Sequence, residues 1–435
     1  MDLTSTERYV VISTDGHCGA DLMDYKPYLQ KSLHEQFDEW AAHYSDAWGA
    51  LDPEAGEGRV GAASFGSSYN WDSDKRLEHM ETQGVAAEVL FPNTTPPFYP
   101  SGAITAPAPT NRQDFELRWA GVKAHNRWLA DFCNAAPGRR AGLAQIFTND
   151  IDEAIREARW ARENGLMGVA LPGDHVLQLN NLYYPRLDPF WEACVELDLP
   201  VHRHGVVPSE AAGPETGVGA PAVGIFECYH MAQRPVSHMV LGGVFERFPD
   251  LRFVVTEANA AWGASYATQL DNYANEALVP GALASMFAGD AVRALSLKPS
   301  EYVAKNVYFA SFFTIDDIAL RYDVGVSQMM WGADFPHHEG TSPHTRKALR
   351  VNFAGLPHDE VRMMLGGNAA KCYGLDMELL TDVAQEFGPA VEEVATPLPL
   401  DEYPTYPSET VCSTFAPQAW RRAATGGTAN GIAST

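Results

Sequence analysis

Residues 142–171 read GLAQIFTNDIDEAIREARWARENGLMGVAL. Two short apolar runs, Gly142–Phe147 and Met167–Leu171, flank a polar segment, Asp152–Asn164, whose apolar residues recur at helical spacing. Gly165 supplies a stop signal after it. The order is strand, helix, strand. Both runs are continuously apolar, which predicts strands buried on both faces, in a parallel sheet covered by helices.

The same unit recurs outward along the chain. Further strand-like runs are Tyr9–Ser13, Ala87–Phe91, Pro200–His204, Arg252–Glu257, Val307–Ser311 and Gln328–Ala333. Eight such units predict an α/β fold, a (β/α)₈ TIM barrel. The barrel is expected over residues 1–380. Two Gly-rich, irregular stretches, 40–75 and 205–235, follow strands and are read as long loop insertions over the C-terminal mouth. Residues 381–435 form a Pro-rich, acidic C-terminal arm, and the final ATGGTANGIAST is expected to be disordered. No internal repeat interrupts this plan.

The chain has 435 residues, 46% of them hydrophobic and 20% charged, enough for a large core. A net charge of −25 argues against nucleic acid or an anionic membrane as partner. No run of about 18 apolar residues occurs, and the N-terminus does not read as a signal peptide. The six cysteines form no C-x-x-C pair. A cytoplasmic protein with reduced thiols is expected, and the long tail suggests a homodimer acting on a small-molecule substrate.

In a TIM barrel the chemistry sits where the strands end. Strand one delivers Asp15 and His17, strand five His202 and His204, strand six Glu257, and strand eight Asp334. Residues two apart on a strand share a face, so Asp15 can join His17, and His202 can join His204. Imidazoles and carboxylates together suit a divalent transition metal, Zn, Mn or Fe, as one or two ions. Each residue taken alone has a blander reading, as a core histidine, an ordinary turn or an ion pair. Their joint placement at strand ends is what lifts the group, since polar side chains there are costly unless paired or metal-bound. His337 is a candidate for a second metal or a supporting contact, as are His202 and, more weakly, His230. His79 and His125 read as surface or packing residues, and Cys18 as an inert buried thiol.

These residues sit in stretches that resemble a known family. Asp15-Gly16-His17, HNRWLADFCNAAPGR (125–139), YYPRLDPFWEACVELDLPVHRH (183–204), GGVFERFPDLRFVVTEANAAW (242–262), MMWGADFPHHEG (329–340) and LGGNAAKCYG (365–374) occur in order. Together they resemble the amidohydrolase superfamily, in the branch of aminocarboxymuconate-semialdehyde decarboxylase-like enzymes. The resemblance implies a metal-bearing barrel with Asp15, His17, His204 and Asp334 as ligands, Asp334 also moving a proton. It implies a structural role for Asn368. Two positions differ from the family pattern. Gly19 and Ala20 stand where many members have a further strand-one ligand, and Glu257 stands where decarboxylases of the branch have a histidine.

The first functional expectation is hydrolysis of an amide, ester or lactone through a metal-bound water, with Asp334 and Glu257 catalytic. One alternative is a non-heme diiron monooxygenase, similar to one known on this barrel. It would hydroxylate an apolar, terpenoid-like substrate between aromatics such as Trp48, Phe65, Tyr69, Trp71, Phe98 and Tyr99. Core or lid packing is the plainer reading of most of those rings. Another alternative is non-oxidative decarboxylation. A barrel that keeps its ligands for stability alone is the non-enzymatic reading.

Overall fold

The computed structural model describes residues 7–44, 68–100, 108–173, 181–205, 219–406 and 408–416. Trp48, Phe65, residues 45–67 of the first irregular stretch, 206–218 of the second and 417–435 at the C-terminus therefore lie outside the described residues; from Ala220 onward the second stretch is not a loop but the start of the helix Ala220–Leu241.

Eight strands run in parallel and in sequence order around one sheet: β1 (Ile12–Cys18), β2 (Ala87–Pro92), β3 (Arg140–Gln145), β4 (Gly168–Ala170), β5 (Val201–His204), β6 (Phe253–Thr256), β7 (Val307–Ser311) and β8 (Met329–Trp331). Helices connect successive strands, among them Arg112–Asn134, Ile151–Glu163, Asp188–Glu196, Ala220–Leu241 and Trp262–Ala277. This is the (β/α)₈ barrel read from the sequence. The helix Ile151–Glu163 shows why the unit forms. Asp150 caps it by accepting from the Glu153 N–H, and Ala154, Ala158 and Ala161 line its buried stripe.

Alternate strand residues point inward. Ile12, Val89, Ala141, Leu143, Val254, Tyr308, Ala310 and Met330 form one buried cluster, while their neighbours pack outward against the helices. The sheet closes where the chain beyond β8 meets β1. The Asp334 N–H donates to the Asp15 carbonyl at 2.6 Å, and the His17 N–H donates to the Phe335 carbonyl at 2.8 Å. Gly332 permits that approach, since a Cβ there would lie 2.4 Å from the Cβ of Asp15.

Most strands differ from the sequence reading by one or two residues at their ends, β3 running Arg140–Gln145 where Gly142–Phe147 is expected, and β1 differs most. β1 begins three residues later than the apolar run suggested and carries Asp15 and His17 within it. Its register with β2 shifts between Ser13 and Gly16. Polar side chains hold this bulge: Thr14 Oγ1 donates to the Met330 and Trp331 carbonyls, and Ser13 Oγ accepts from the Ala333 N–H. Hydropathy alone is blind to a polar strand held by such bonds.

At the other end of the chain, the helices Met377–Phe387 and Val391–Ala395 lead into the Pro-rich segment. Ala390 bridges Arg8, and Leu398, Cys412 and Phe415 bury against Phe312 and Ala348. No helix among the described residues is long and apolar enough to cross a membrane.

Candidate metal centre

At the C-terminal mouth, five side chains from four strand ends and one from the following loop converge. His17 Nε2 lies 3.5 Å from Asp15 Oδ1 and 3.2 Å from Asp334 Oδ1. His204 Nε2 lies 3.6 Å from Asp15 Oδ1 and 3.1 Å from Glu257 Oε2. His337 Nδ1 lies 2.9 Å from Asp334 Oδ1, and its ring stacks on that of His17 at 3.8 Å. The donors form two overlapping groups, Asp15–His17–His204–Glu257 and His17–Glu257–Asp334–His337, each with ligand atoms within 4.8 Å of one another. Asp15, His17 and Asp334 are fully buried, whereas the Glu257 side chain keeps 23% of its surface toward the mouth.

These groups are poorly served by the protein itself. Both carboxylate oxygens of Asp15 and of Asp334, both ring nitrogens of His17, and His204 Nε2 have no directed hydrogen bond. Buried polar atoms are normally satisfied, and leaving one so costs about 1–3 kcal/mol. His204 Nδ1 lies 2.7 Å from the Gly205 carbonyl, an acceptor for its N–H, so Nε2 is the ring nitrogen turned toward the cluster, where burial is overcome by Glu257 and Asp15 and the ring is raised to about 9. The set therefore fits a divalent cation: anionic oxygens and imidazole nitrogens aimed at one point without other partners.

The electrostatics agree. Burial pushes Asp334 up to about 7 against the pull of His337. Burial and the nearby Asp334 push Glu257 well above the ordinary range. Burial lowers His17 to about 3; it also pulls His337 down, but Asp334, Glu339 and Glu257 together lift His337 to about 10. Three carboxylates in so small a space repel one another, and a cation relieves that repulsion. Backbone strain marks the same place. Glu257 and Asp334 have φ of 51° and 56°, a region side-chain-bearing residues seldom adopt.

Behind the cluster lies a support that was not read from the sequence. Arg76 is fully buried and forks onto Glu88, with Nη2 to Oε2 at 2.7 Å. Its Nη1 donates to the His17 carbonyl at 2.8 Å and its Nη2 to the Phe335 carbonyl at 3.2 Å. It thus ties β1 to the chain beyond β8, next to both Asp15–His17 and Asp334. The available signal was Glu88, a charge inside the apolar run Ala87–Phe91. Asn93, just past β2, is the second such residue: His337 Nε2 lies 3.1 Å from its Oδ1.

Gly19 accounts for one departure from the family pattern. A Cβ there would lie 2.1 Å from Thr94 Oγ1 and 2.9 Å from the Tyr25 hydroxyl. Tyr25 bonds Thr94, His125 and the Ala20 N–H. Packing at this spot leaves no space for another strand-one ligand.

The remaining candidates lie elsewhere. His202 shares the strand of His204, but both its nitrogens are engaged, by the Val169 carbonyl at 3.0 Å and the Tyr373 hydroxyl at 2.9 Å. It pins the barrel interior and belongs to neither donor group. His230 is exposed on the helix Ala220–Leu241, against Phe226 and outside both groups. His125 is buried packing. His79 is half-buried and stacks on Phe335 at 3.7 Å. The Cys18 thiol is buried and pushed up by that burial. Asn368 Nδ2 donates to the Val326 and Met329 carbonyls, a structural tie. Phe98 packs with Phe37 and Trp40, while Tyr69 meets Phe335 beside the centre.

Comparison with known proteins places the chain in a family. The sequence profile described as Amidohydrolase matches residues 89–375. The chain belongs to the amidohydrolase family. Asp15 and His17 precede the matched region, so the structure alone joins them to the rest. Solved structures share the fold at low identity. An amidohydrolase from Mycobacterium avium subsp. paratuberculosis K-10 is 18% identical, over 84% of this chain and 99% of that one, with a TM-score of 0.57. The 5-carboxyvanillate decarboxylase of Sphingomonas paucimobilis is 20% identical over 85% and 100%, with a TM-score of 0.57. That of Novosphingobium aromaticivorans DSM 12444, solved with manganese and 4-hydroxy-3-methoxy-5-nitrobenzoic acid, is 18% identical over 84% and 96%, with a TM-score of 0.58.

Proposed function

We propose that this chain is a metal-dependent decarboxylase of a small aromatic or unsaturated carboxylic acid. Asp15, His17 and His204 hold the cation, with Glu257 and Asp334 at its open side, and manganese is the ion of choice by analogy with the Novosphingobium enzyme. A bound divalent cation supplies charge neutralisation and orientation for the oxygens of an acid substrate.

The observation that carries the reading is the Asp334–His337 contact at 2.9 Å. Decarboxylation leaves a carbon that must gain a proton. Asp334 is placed inside the cluster to give one, and His337 stands beside it to replace that proton. Glu257 offers its partly exposed carboxyl to a substrate oxygen. Hydrolysis, the first expectation from sequence, asks Asp334 to begin as a base and ranks below this reading, which the decarboxylase activities named for two of the similar structures also favour.

A second reading rests on the overlap of the two donor groups at His17 and Glu257. Two cations sharing Glu257 fit the diiron monooxygenase alternative. The deciding experiment pairs elemental analysis of the purified protein with CO₂ release from a panel of hydroxybenzoic acids. One manganese and CO₂ support decarboxylation. Ester or amide cleavage without CO₂ returns the hydrolase, and two irons with oxygen-dependent product formation establish the monooxygenase.

A further inference from the structure

A second polar group sits at the mouth, on the ends of β2 and β3. Arg118, on the helix Arg112–Asn134, is 1% exposed. Its guanidinium lies over the rings of Tyr99 and Phe147, 4.6 Å and 5.1 Å from their centroids. Asp114 is its ion-pair partner, 3.5 Å from Nη1 on the other edge and itself partly exposed. Arg118 Nε and Nη2 have no hydrogen-bond acceptor. Nearby, the Tyr99 hydroxyl donates to Gln145 Oε1 at 3.1 Å, which fixes the amide, and Gln145 Nε2 is also without an acceptor.

Three buried donors without acceptors are costly, above all on a cation. Nε and Nη2 form the edge of arginine that grips a carboxylate with two parallel bonds. The ring contacts hold the guanidinium flat. Gln145 is two residues beyond the inward-facing Leu143 on β3, so it shares the face that opens to the mouth. β2 links the two places: Phe91 touches the rings of His17 and His204, Asn93 meets His337, and Tyr99 follows in the same loop. β3 lies two strands from β1, on the order of 10 Å at about 4.8 Å per strand.

We propose that Arg118 and Gln145 bind a carboxylate of the substrate remote from the metal, which makes the substrate a diacid. This rests on the decarboxylase reading for the role of the other acid group. Terephthalate carries two opposed carboxylates, and 4-carbamoylbenzoate is its neutral-ended isostere.

The test is calorimetric titration of the full-length, manganese-loaded protein with terephthalate, 4-carbamoylbenzoate and benzoate. Terephthalate is expected to bind at least tenfold more tightly than either monoacid, as a charge-assisted fork predicts. Arg118→Lys keeps the charge and the ring contact but loses the fork. It should bring terephthalate to within about threefold of benzoate while leaving benzoate affinity in place. Gln145→Leu should narrow the same preference. Equal affinities in the wild type, or an intact preference in Arg118→Lys, overturn the proposal. An Arg118-dependent preference for terephthalate in a protein that releases no CO₂ from any acid would retire the decarboxylase reading and leave this carboxylate site standing.

Discussion

His202 and His204 stand two residues apart on β5 and face the same barrel interior, yet their surroundings are opposite. His202 meets a carbonyl and a tyrosine hydroxyl, one for each nitrogen. His204 spends Nδ1 on Gly205 and turns Nε2 toward two carboxylates. The contrast extends to the regions around them. Below, His202 and the Tyr373 hydroxyl satisfy each other and serve packing. Above, at the mouth, the carboxylates of Asp15 and Asp334, both nitrogens of His17 and Nε2 of His204 lack directed hydrogen bonds, and Glu257 and Asp334 sit on strained backbone. In a barrel, the end where strands begin carries stability and the end where they finish carries chemistry. The division falls within a single strand here, between residues 202 and 204.

The strongest challenge to that division is removal of the acid at the mouth. Asp334→Asn should lower kcat by about 10²–10⁴, the range for loss of a positioned proton donor. Thermal unfolding of the same variant should occur no lower than in wild type, because the change removes a buried like charge facing Asp15 and Glu257. A variant that unfolds but, when folded, turns over normally would put Asp334 on the stability side of the division.

The two histidines give a paired test. His204→Asn should abolish stoichiometric manganese binding with little loss of stability. His202→Phe should keep the metal and destabilise by about 1–3 kcal/mol, because the Tyr373 hydroxyl loses its partner. Equilibrium dialysis and chemical denaturation read the two effects separately. Metal loss in His202→Phe would erase the contrast.

Arg76 tests whether the mouth depends on a support that is itself fully satisfied. Removing one partner of a buried ion pair costs about 3–5 kcal/mol, so Arg76→Met should show that loss in denaturation. Arg76→Lys restores the charge without the fork to Glu88, His17 and Phe335. It should recover part of the stability while manganese affinity still falls about 10–100-fold, the usual cost of disturbing what orients a ligand. Unchanged manganese affinity in Arg76→Lys would make Arg76 a fold residue alone.

The barrel was legible because most of its strands contain a short apolar run and its helices carry regular stripes. Strand ends then located Asp15, His17, His204, Glu257 and Asp334, and the structure brings these side chains together. What escaped had physical reasons. β1 is partly built from Ser, Thr and Asp that bond across the seam, so hydropathy misplaced its start. His202 obeyed the same two-residue rule as His204, and only Tyr373, 171 positions further along the chain, separates their fates. Arg76 and Asn93 act through partners distant in sequence, and no local spacing marks such pairs; Arg118 shows only its i,i+4 pairing with Asp114, which reads as an ordinary helix ion pair.

His125 yields the smallest expected effect and sharpens the contrast from the packing side. It is fully buried, its Nδ1 lies 2.9 Å from the Tyr25 hydroxyl, and burial lowers it to about 3. Below its ordinary value of 6.5, the unfolded chain takes up a proton at this residue and the folded chain does not. Stability conferred by the neutral ring is therefore complete above that value and declines as pH falls from it toward 3, by about 1.4 kcal/mol per unit. His125→Asn keeps a polar partner for Tyr25 but does not titrate in this range. Denaturation curves between these limits should show the variant losing stability less steeply than wild type by about that slope. Parallel slopes would mean that His125 becomes charged while the protein is still folded. A packing histidine near Tyr25 would then tolerate the charge that this region of the fold is arranged to exclude.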